Sequence, residues 1–187
     1  MTIEIVSGSP NAGSVTHRLV LFLEKYLKST TAHNIGVIDV RDWELPLLQQ
    51  DVYSHTTKAP EALQPLAKRI FEANAFILVT PEYNGSYTSA LKNIFDHFPK
   101  QAHKAFGIVT ASTGAFGGLR ASQQLQLLIN ALFGIGSPYM LITPHIDKKF
   151  DKEGNLVDET FQKNISIFIT EFLWLAEKLA TEMQPVA

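Results

Sequence analysis

Short apolar segments alternate with amphipathic patterns along this chain. Five segments rich in β-branched and aromatic residues are typical of buried strands, and they lie at 2–6, 35–40, 75–79, 106–110 and 139–143. Between and after them, apolar side chains recur every three or four residues, as on one face of a helix. This spacing predicts helices at 62–73, 90–98, 119–133 and 161–179, and one that carries Leu19, Leu23 and Leu27.

The alternation of strands and helices predicts an α/β fold with a parallel sheet covered on both faces. The strands are almost wholly apolar, as expected when helices cover both sides of the sheet. A length of 187 residues suits one domain, 1–187, with a sizeable core. Sheets of this kind bind ligands beyond the carboxyl ends of their strands, so the loops at that edge are the functional candidates.

Composition narrows the class of function. A formal net charge of −2 argues against nucleic acid as the main partner, since such proteins usually carry a basic face. The absence of cysteine excludes disulfides and thiolate metal sites, and the six histidines show no metal-binding spacing, so no metal is expected. The N-terminal residues lack a signal-peptide pattern, and no apolar run approaches the ~20 residues of a membrane span. These features predict a cytoplasmic protein without a membrane partner.

Three loops that follow predicted strands are unusually rich in Gly, Ser, Thr and Asn. They lie at 7–14, 80–89 and 111–118. Because the carboxyl ends of parallel strands share one edge of a sheet, these loops are expected to meet there. Their convergence is the main functional signal in the sequence.

The first loop, SGSPNAGS at 7–14, opens a helix and suits an anion such as a terminal phosphate. It offers several hydroxyls, the side-chain amide of Asn11 and the backbone N–H groups of a helix N-terminus. It lacks both the G-x-G-x-x-G fingerprint and the G-K-[ST] of a nucleotide P-loop. His17 lies in the first helical turn, where a protonated imidazole would add charge. The alternatives are an ordinary strand-to-helix turn capped by Ser14 and a solvent-exposed His17.

The second and third loops suit a flat ring with polar edges. Asn84 and Gly85 favour a turn with positive φ that directs N–H groups outward, and Tyr83 adds an aromatic surface. Glu82 has no obvious partner and is a poor candidate for a general acid. In the third loop, the glycines permit close approach of the backbone and Phe116 can cover an aromatic ligand. A packed β-turn and a flexible connector are the respective alternatives.

Several segments resemble motifs of the NADPH-dependent FMN reductase family. They are GSPNAGSVT at 8–16, PEYNGSYTSALKNIFD at 81–96, STGAFGGLRA at 112–121 and, after the second strand, ELPLLQQD at 44–51. The resemblance implies a flavodoxin-like three-layer αβα sandwich with a five-stranded parallel sheet of order 2-1-3-4-5 and bound FMN. It also implies a homodimer or homotetramer.

The family resemblance assigns the site residues by motif match. The phosphate would be held by Ser9, Asn11, Ser14 and Thr16, with His17 beside them. The isoalloxazine ring would be wrapped by Pro81, Glu82, Tyr83, Asn84 and Gly85, and lined at its other edge by Ser112, Thr113, Gly114, Gly117 and Gly118. On this assignment, Gly118→Val is expected to abolish flavin binding with little change in the fold.

The chain departs from the family pattern at four positions. The family often has Arg at the position of Asn11 and Asn at that of Thr16, and it often has Pro-Gly where this chain has Thr88 and Ser89. Loss of a bidentate Arg is expected to weaken binding of the phosphate, and His17 or Arg18 is a candidate to compensate.

The predicted function is therefore that of an FMN-dependent NAD(P)H oxidoreductase. A hydride would pass from NADPH or NADH through FMN to a small-molecule acceptor, such as a quinone, an azo compound, a metal oxyanion or a flavin. The cofactor carries this chemistry, so no catalytic side chain is expected. The alternatives are a flavodoxin-type electron carrier and a flavodoxin-like binding module without flavin, which the departure at Asn11 favours.

Overall fold

The computed structural model describes residues 1–49 and 52–182. Gln50 and Asp51, which end the ELPLLQQD segment, lie outside the described residues, as do 183–187. The strands are β1 (Thr2–Ser7), β2 (Asn34–Asp39), β3 (Ala75–Pro81), β4 (Ala105–Ala111), β5 (Ile135–Gly136) and β6 (Leu141–Thr143). The helices are α1 (His17–Thr30), α2 (Gln64–Glu72), α3 (Ser89–Asp96), α4 (Leu119–Ala131), α5 (Ile146–Lys149) and α6 (Gln162–Glu182).

All six strands pair in parallel within one sheet. Its order is β2-β1-β3-β4-β5, and β6 also pairs with β4. The predicted α/β class and the order 2-1-3-4-5 are confirmed, with one correction to the strand count. The fifth position holds two short strands, β5 and β6, instead of the single strand predicted at 139–143. Pro138 lies between them and has no N–H to donate to β4, which accounts for the interruption.

Helices cover both faces of the sheet and complete the three layers. On one face, Leu19 and Leu23 of α1 and Phe168 and Phe172 of α6 pack in a core cluster against β1, β3 and β4. On the other face, the apolar sides of α2, α3 and α4 pack around Phe76 and Phe106. These two aromatic rings are stacked with their centroids 5.2 Å apart. The central strands are therefore buried on both faces, as their apolar composition predicts.

A buried lysine lies at the amino edge of the sheet, opposite the three loops, and joins the start of β4 to the end of α2. Lys104 immediately precedes β4, and its ammonium donates to the carbonyl oxygens of Ile70, at 3.0 Å, and Phe71, at 3.3 Å, near the end of α2. The Gln101 side chain accepts a third hydrogen bond at 2.9 Å. Burial lowers the pKa of Lys104 to about 8. None of the helices among the described residues combines the length and the hydropathy that a membrane-spanning segment requires.

Candidate functional site

The three polar loops meet at the carboxyl edge of the sheet, as predicted. Gly8 of the first loop donates its N–H to the carbonyl oxygen of Val79, near the end of β3, at 2.8 Å. The Thr88 hydroxyl, at the end of the second loop, donates to the Gly8 carbonyl oxygen. Glu82 accepts hydrogen bonds from Arg120, which follows the third loop. Each loop is thus tied to a neighbouring loop or strand by a direct hydrogen bond.

The first loop contains backbone N–H groups that find no partner in the described part of the chain. The Asn11 side-chain oxygen accepts the N–H of Gly13 at 2.9 Å, which folds the loop into a tight turn. Within residues 1–49 and 52–182, the backbone N–H groups of Ala12, Val15 and Thr16 have no hydrogen-bond acceptor. These free donors lie just before α1, where the helix dipole favours an anion.

The expected Ser14 cap is wrong. α1 begins at His17, and Thr16 occupies the N-cap position without making a side-chain capping bond. The Ser14 carbonyl oxygen instead accepts the N–H of His17 at 3.3 Å. Thr16 and Ser9 are buried, with 2% and 3% of their surfaces exposed, so their side chains are held inside the loop. The predicted phosphate residues Ser9, Asn11, Ser14 and Thr16 all lie in the loop between β1 and α1.

His17 belongs to a charged cluster that the sequence did not reveal. Arg41 donates to both carboxylate oxygens of Asp39, at 2.8 and 2.5 Å, and to Nδ1 of His17 at 3.2 Å. Ser7 Oγ also lies 3.2 Å from that nitrogen. Asp39 ends β2 and Arg41 follows two residues later, and the guanidinium reaches the Ala12 carbonyl oxygen at 3.5 Å. The cluster supports the first loop from the β2 side.

The electrostatics of this cluster correct the role predicted for His17. Burial, followed by the neighbouring positive charge of Arg41, lowers the pKa of His17 below its ordinary value. The imidazole is therefore neutral at pH 7, with Nδ1 accepting the Arg41 hydrogen bond. Burial alone would raise the pKa of Asp39, but the hydrogen bonds from Arg41 outweigh it and hold this pKa below its usual value. The pair of Arg41 and Asp39 is thus ionised and has no net charge.

Arg18 does not compensate for the missing arginine at position 11. Its guanidinium donates to the carbonyl oxygens of Phe150, at 2.8 Å, and Asp147, at 3.5 Å. Both acceptors lie at α5 or just after it, so the side chain joins α1 to that segment instead of reaching the first loop.

The second loop forms the turn that Asn84 and Gly85 predict. Tyr83 and Ser86 exchange backbone hydrogen bonds at 2.8 and 3.1 Å, and the two residues between them have φ values of 50° and 81°. Positive φ at both central positions defines a type I′ turn. Among the described residues, no acceptor binds the N–H groups of Asn84 and Gly85. A cleft of about 420 Å³ opens beside this turn, between Tyr83 and Lys92.

Thr88, where the chain departs from the family pattern, has a structural role. It is the N-cap of α3, and its side-chain oxygen accepts the N–H of Leu91 at 3.2 Å. The same hydroxyl donates to the Gly8 carbonyl oxygen, and the Thr88 N–H donates to the Thr80 hydroxyl at 3.3 Å. Thr88 is fully buried. It therefore joins the first loop, the end of β3 and the start of α3.

The third loop is anchored, not flexible. The Ser112 N–H donates to the Thr143 carbonyl oxygen at 3.2 Å, and the Ser112 carbonyl oxygen accepts the N–H of Ile146 at 3.1 Å. His145 donates its N–H to the Gly114 carbonyl oxygen at 3.3 Å, and its ring Nδ1 lies 3.0 Å from the Thr113 carbonyl oxygen. His145 has a φ of 51°, a conformation that non-glycine residues seldom adopt. The turn after β6 thus fixes the predicted residues Ser112, Thr113 and Gly114.

The loop glycines differ in what a side chain would meet. A Cβ at Gly118, where φ is 85°, would lie 2.8 Å from Cβ of Thr110 in β4. A Cβ at Gly117 would lie 2.5 Å from the backbone nitrogen of Pro144. A Cβ at Gly114 would have only Ser112 Oγ, at 3.7 Å, as a neighbour. The expectation that Gly118→Val leaves the fold nearly unchanged is therefore wrong, and Gly114 is the position that faces open space.

A family model for NADPH-dependent FMN reductases matches residues 1–143. This chain belongs to the NADPH-dependent FMN reductase family. It is 30% identical to an FMN-dependent NADPH-azoreductase of Staphylococcus saprophyticus over 90% of this chain and 92% of that protein. It is 29% identical, with the same coverage, to the protein of that name from Staphylococcus aureus. Family membership makes the chain an enzyme, an FMN-dependent NAD(P)H oxidoreductase, as predicted, in preference to an electron carrier.

Solved structures bear out the fold. The chain superposes with a TM-score of 0.78 on the flavoenzyme NAD(P)H:(acceptor) oxidoreductase FerB of Paracoccus denitrificans. The two are 24% identical, and the match covers 95% of this chain and 97% of that one. An NADH:FMN oxidoreductase, EMOB, gives a TM-score of 0.73 at 18% identity, over 92% of this chain and 89% of that one.

The residues at the carboxyl edge fit FMN chemically. Free N–H groups before a helix suit a phosphate, and outward N–H groups of a type I′ turn suit the carbonyl and nitrogen rim of a flavin ring. Sequence reasoning missed Asp39, Arg41, Arg120 and His145 at this edge. Of these, only Arg120 lies inside a segment that carried the family resemblance, STGAFGGLRA.

Proposed function

We propose that the three loops together bind FMN and that the enzyme reduces a small-molecule acceptor at the same site. The observation that carries the proposal is a group of N–H donors at one edge of the sheet that have no acceptor among the described residues. Those before α1 match a phosphate, and those of the turn at 84–85 match a flavin rim. The distance between the two sets is bridged by Thr88, which joins the loops that carry them.

We keep the roles that the family resemblance implies for the site residues, except at Gly117 and Gly118. Ser9, Asn11, Ser14 and Thr16 would hold the phosphate, with His17 as a neutral neighbour. Pro81, Glu82, Tyr83, Asn84 and Gly85 would support the ring mainly through the backbone. Ser112, Thr113 and Gly114 would line its other edge, while Gly117 and Gly118 give that loop its shape. Because no arginine occupies position 11, binding of the phosphate would depend on backbone donors and hydroxyls more than on charge.

FMN, when bound, would supply the redox chemistry, namely hydride transfer from NADPH or NADH and electron transfer to the acceptor. The chain itself would bind and orient the ring and leave one face open to each substrate in turn. Glu82 is engaged with Arg120, and His17 is engaged with Arg41, so neither carboxylate nor imidazole is free to act as an acid or base. We therefore keep the prediction that no catalytic side chain is needed.

An aromatic acceptor suits this edge best, and an azo compound is the first candidate. Tyr83 and Phe116 are large, exposed rings beside the second and third loops, with 44% and 66% of their surfaces exposed. Such rings can stack on a flat conjugated substrate. Relatives at 30% and 29% identity carry the name azoreductase. Quinones, flavins and metal oxyanions remain predicted alternatives.

The proposal extends to assembly and location. Leu119 and Leu127 of α4 and Phe133 are exposed, and an apolar groove of about 470 Å³ lies between α3 and α4. Exposed apolar side chains of this kind favour a subunit interface, so we keep the prediction of a homodimer or homotetramer. A single domain over 1–187 and a cytoplasmic location also remain predictions from the sequence.

One experiment tests the proposed function. The purified protein is saturated with FMN, freed of excess and mixed anaerobically with NADPH or NADH while the flavin absorbance near 450 nm is followed. Retained flavin that bleaches, and recovers on addition of an azo dye, supports the proposal. Failure to retain FMN contradicts the proposal, and so does retained flavin that neither NADPH nor NADH bleaches. Riboflavin provides the matched control, because it shares the ring and lacks the phosphate.

A further inference from the structure

The second and third loops need a connection beyond the sheet. Their strands, β3 and β4, are paired as far as Pro81 and Ala111. Beyond these residues, the described part of the chain has no backbone–backbone hydrogen bond between the two loops, so side-chain contacts help to fix their separation. The residue that follows the last pair on β3 is Glu82, and its carboxylate makes such a contact.

Glu82 reaches across to the start of α4. Its Oε2 accepts the backbone N–H of Arg120 at 3.0 Å, and its Oε1 accepts from Nη1 of the same residue at 3.1 Å. The N-cap of α4 is Gly118, which has no side chain to cap the helix. Glu82 therefore serves as the cap from another loop, and the helix dipole favours its negative charge there.

Arg120 continues the connection on both sides. A Cβ built on Gly85 would lie 3.7 Å from Cδ of Arg120, so the aliphatic part of this side chain covers the type I′ turn. Its guanidinium lies 5.5 Å from the ring centroid of Phe116 in the third loop, within the range of a cation–π contact. One side chain thus contacts the second loop at two residues and the third loop at one.

We infer that Glu82 and Arg120 are positioning residues that set the separation of the two ring-binding loops. The inference rests on the proposed function, in which the flavin ring lies against both loops. The Glu82 side chain is only 15% exposed, while that of Arg120 is 65% exposed. Arg120 therefore lies mostly outside the core, and Glu82 is largely covered at the place where the two loops meet.

The test compares two flavins on four variants: Glu82→Ala, Arg120→Met, the double variant and Arg120→Lys. Dissociation constants for FMN and riboflavin are measured by quenching of flavin fluorescence with flavin-free protein. Within each single variant, we expect the dissociation constants for FMN and for riboflavin to rise by the same factor, on the order of fivefold, a scale typical of a partly exposed ion pair. Glu82→Ala should have the larger effect, because Arg120→Met retains the backbone hydrogen bond to Glu82.

Two further results are expected of a coupled pair. The double variant should be no weaker than Glu82→Ala alone, since both changes remove the same connection. Arg120→Lys should recover part of the affinity by retaining the positive charge. The visible circular dichroism of bound flavin reports the surroundings of the ring, and it should shift in the truncated variants. If the pair served only the stability of the fold, this spectrum would not shift.

Lys28→Met is the matched control. Lys28 pairs with Glu24 at 2.6 Å on the surface of α1 and is comparably exposed, at 54%, but the pair joins no loops. Its removal should leave both dissociation constants unchanged. Unaltered flavin affinity in the Glu82 and Arg120 variants would overturn the inference, and so would a loss confined to FMN or fully additive effects. A wild-type protein that binds neither flavin would overturn the proposed function as well.

Discussion

The Thr88 hydroxyl donates a hydrogen bond to the carbonyl oxygen of Gly8, a residue 80 positions earlier in the chain. The contact joins the start of α3 to the loop that precedes α1. It also explains how the chain accommodates Thr88 where its family often has proline. A buried hydroxyl with both a donor and an acceptor role links the predicted phosphate and ring sites.

Thr88→Val should destabilise the protein by about 1–3 kcal/mol, because it removes a helix cap and leaves the Gly8 carbonyl oxygen without its partner. Urea unfolding of the flavin-free protein measures this. Thr88→Ser keeps the hydroxyl and should lose much less. Equal stability of the valine variant and the wild type would contradict the role assigned to the hydroxyl.

Gly114→Val should leave the fold intact and weaken FMN binding by about tenfold or more, ~1.4 kcal/mol, by crowding the space beside the third loop. Flavin fluorescence titration and urea unfolding together separate the two effects. Gly118→Val is the contrasting variant, since its Cβ meets Thr110 and its backbone has a φ of 85°. That variant should lose about 1–3 kcal/mol of stability from backbone strain alone. If Gly114→Val binds FMN normally, the third loop does not line the ring.

Acidification should destabilise the flavin-free protein through His17. Its pKa in the folded state is lowered by burial and by Arg41, so the unfolded chain binds more protons just below the ordinary value of about 6.5. Stability is therefore lost as the pH falls through that window. His17→Gln removes the titration, and the difference in unfolding free energy between wild type and variant should change between about pH 7 and about pH 5. A pH-independent difference would mean that the imidazole is not held neutral.

Lys104 should make the free energy of unfolding depend on pH in the alkaline range. Its pKa in the folded state is about 8, against an ordinary value of 10.5, because burial disfavours the ammonium. The unfolded chain thus binds more protons between these values, and stability rises as the pH rises through them. The wild type should gain stability relative to Lys104→Met between about pH 8 and about pH 10, measured by urea unfolding. A constant difference across this range would place the pKa of Lys104 near its ordinary value.

Local patterns were sufficient for the fold and for part of the site. Apolar strands separated by amphipathic helices predict the covered parallel sheet, and Asn84 followed by Gly85 predicts the positive φ values of its turn. These features depend on a few neighbouring residues, so the sequence displays them directly. The family resemblance supplied the strand order.

Contacts between distant segments were not predictable in this way. Glu82 looked unpaired because its partner, Arg120, lies 38 residues later and meets it only when β3 and β4 align. His17 looked like a potential cation because nothing local indicated that Arg41 would lie beside it. The linking role of Thr88 was likewise not predictable, because its partner, Gly8, lies 80 positions earlier in the chain.

The interruption at Pro138 also affects how the molecule behaves at high concentration. One edge of the sheet consists of β5 and β6, which are two and three residues long. An intruding strand needs a continuous row of free N–H and C=O groups, and short edge strands with a proline deny it that row. This edge should therefore resist strand addition and aggregation, whereas the opposite edge, formed by the six-residue strand β2, has no such interruption.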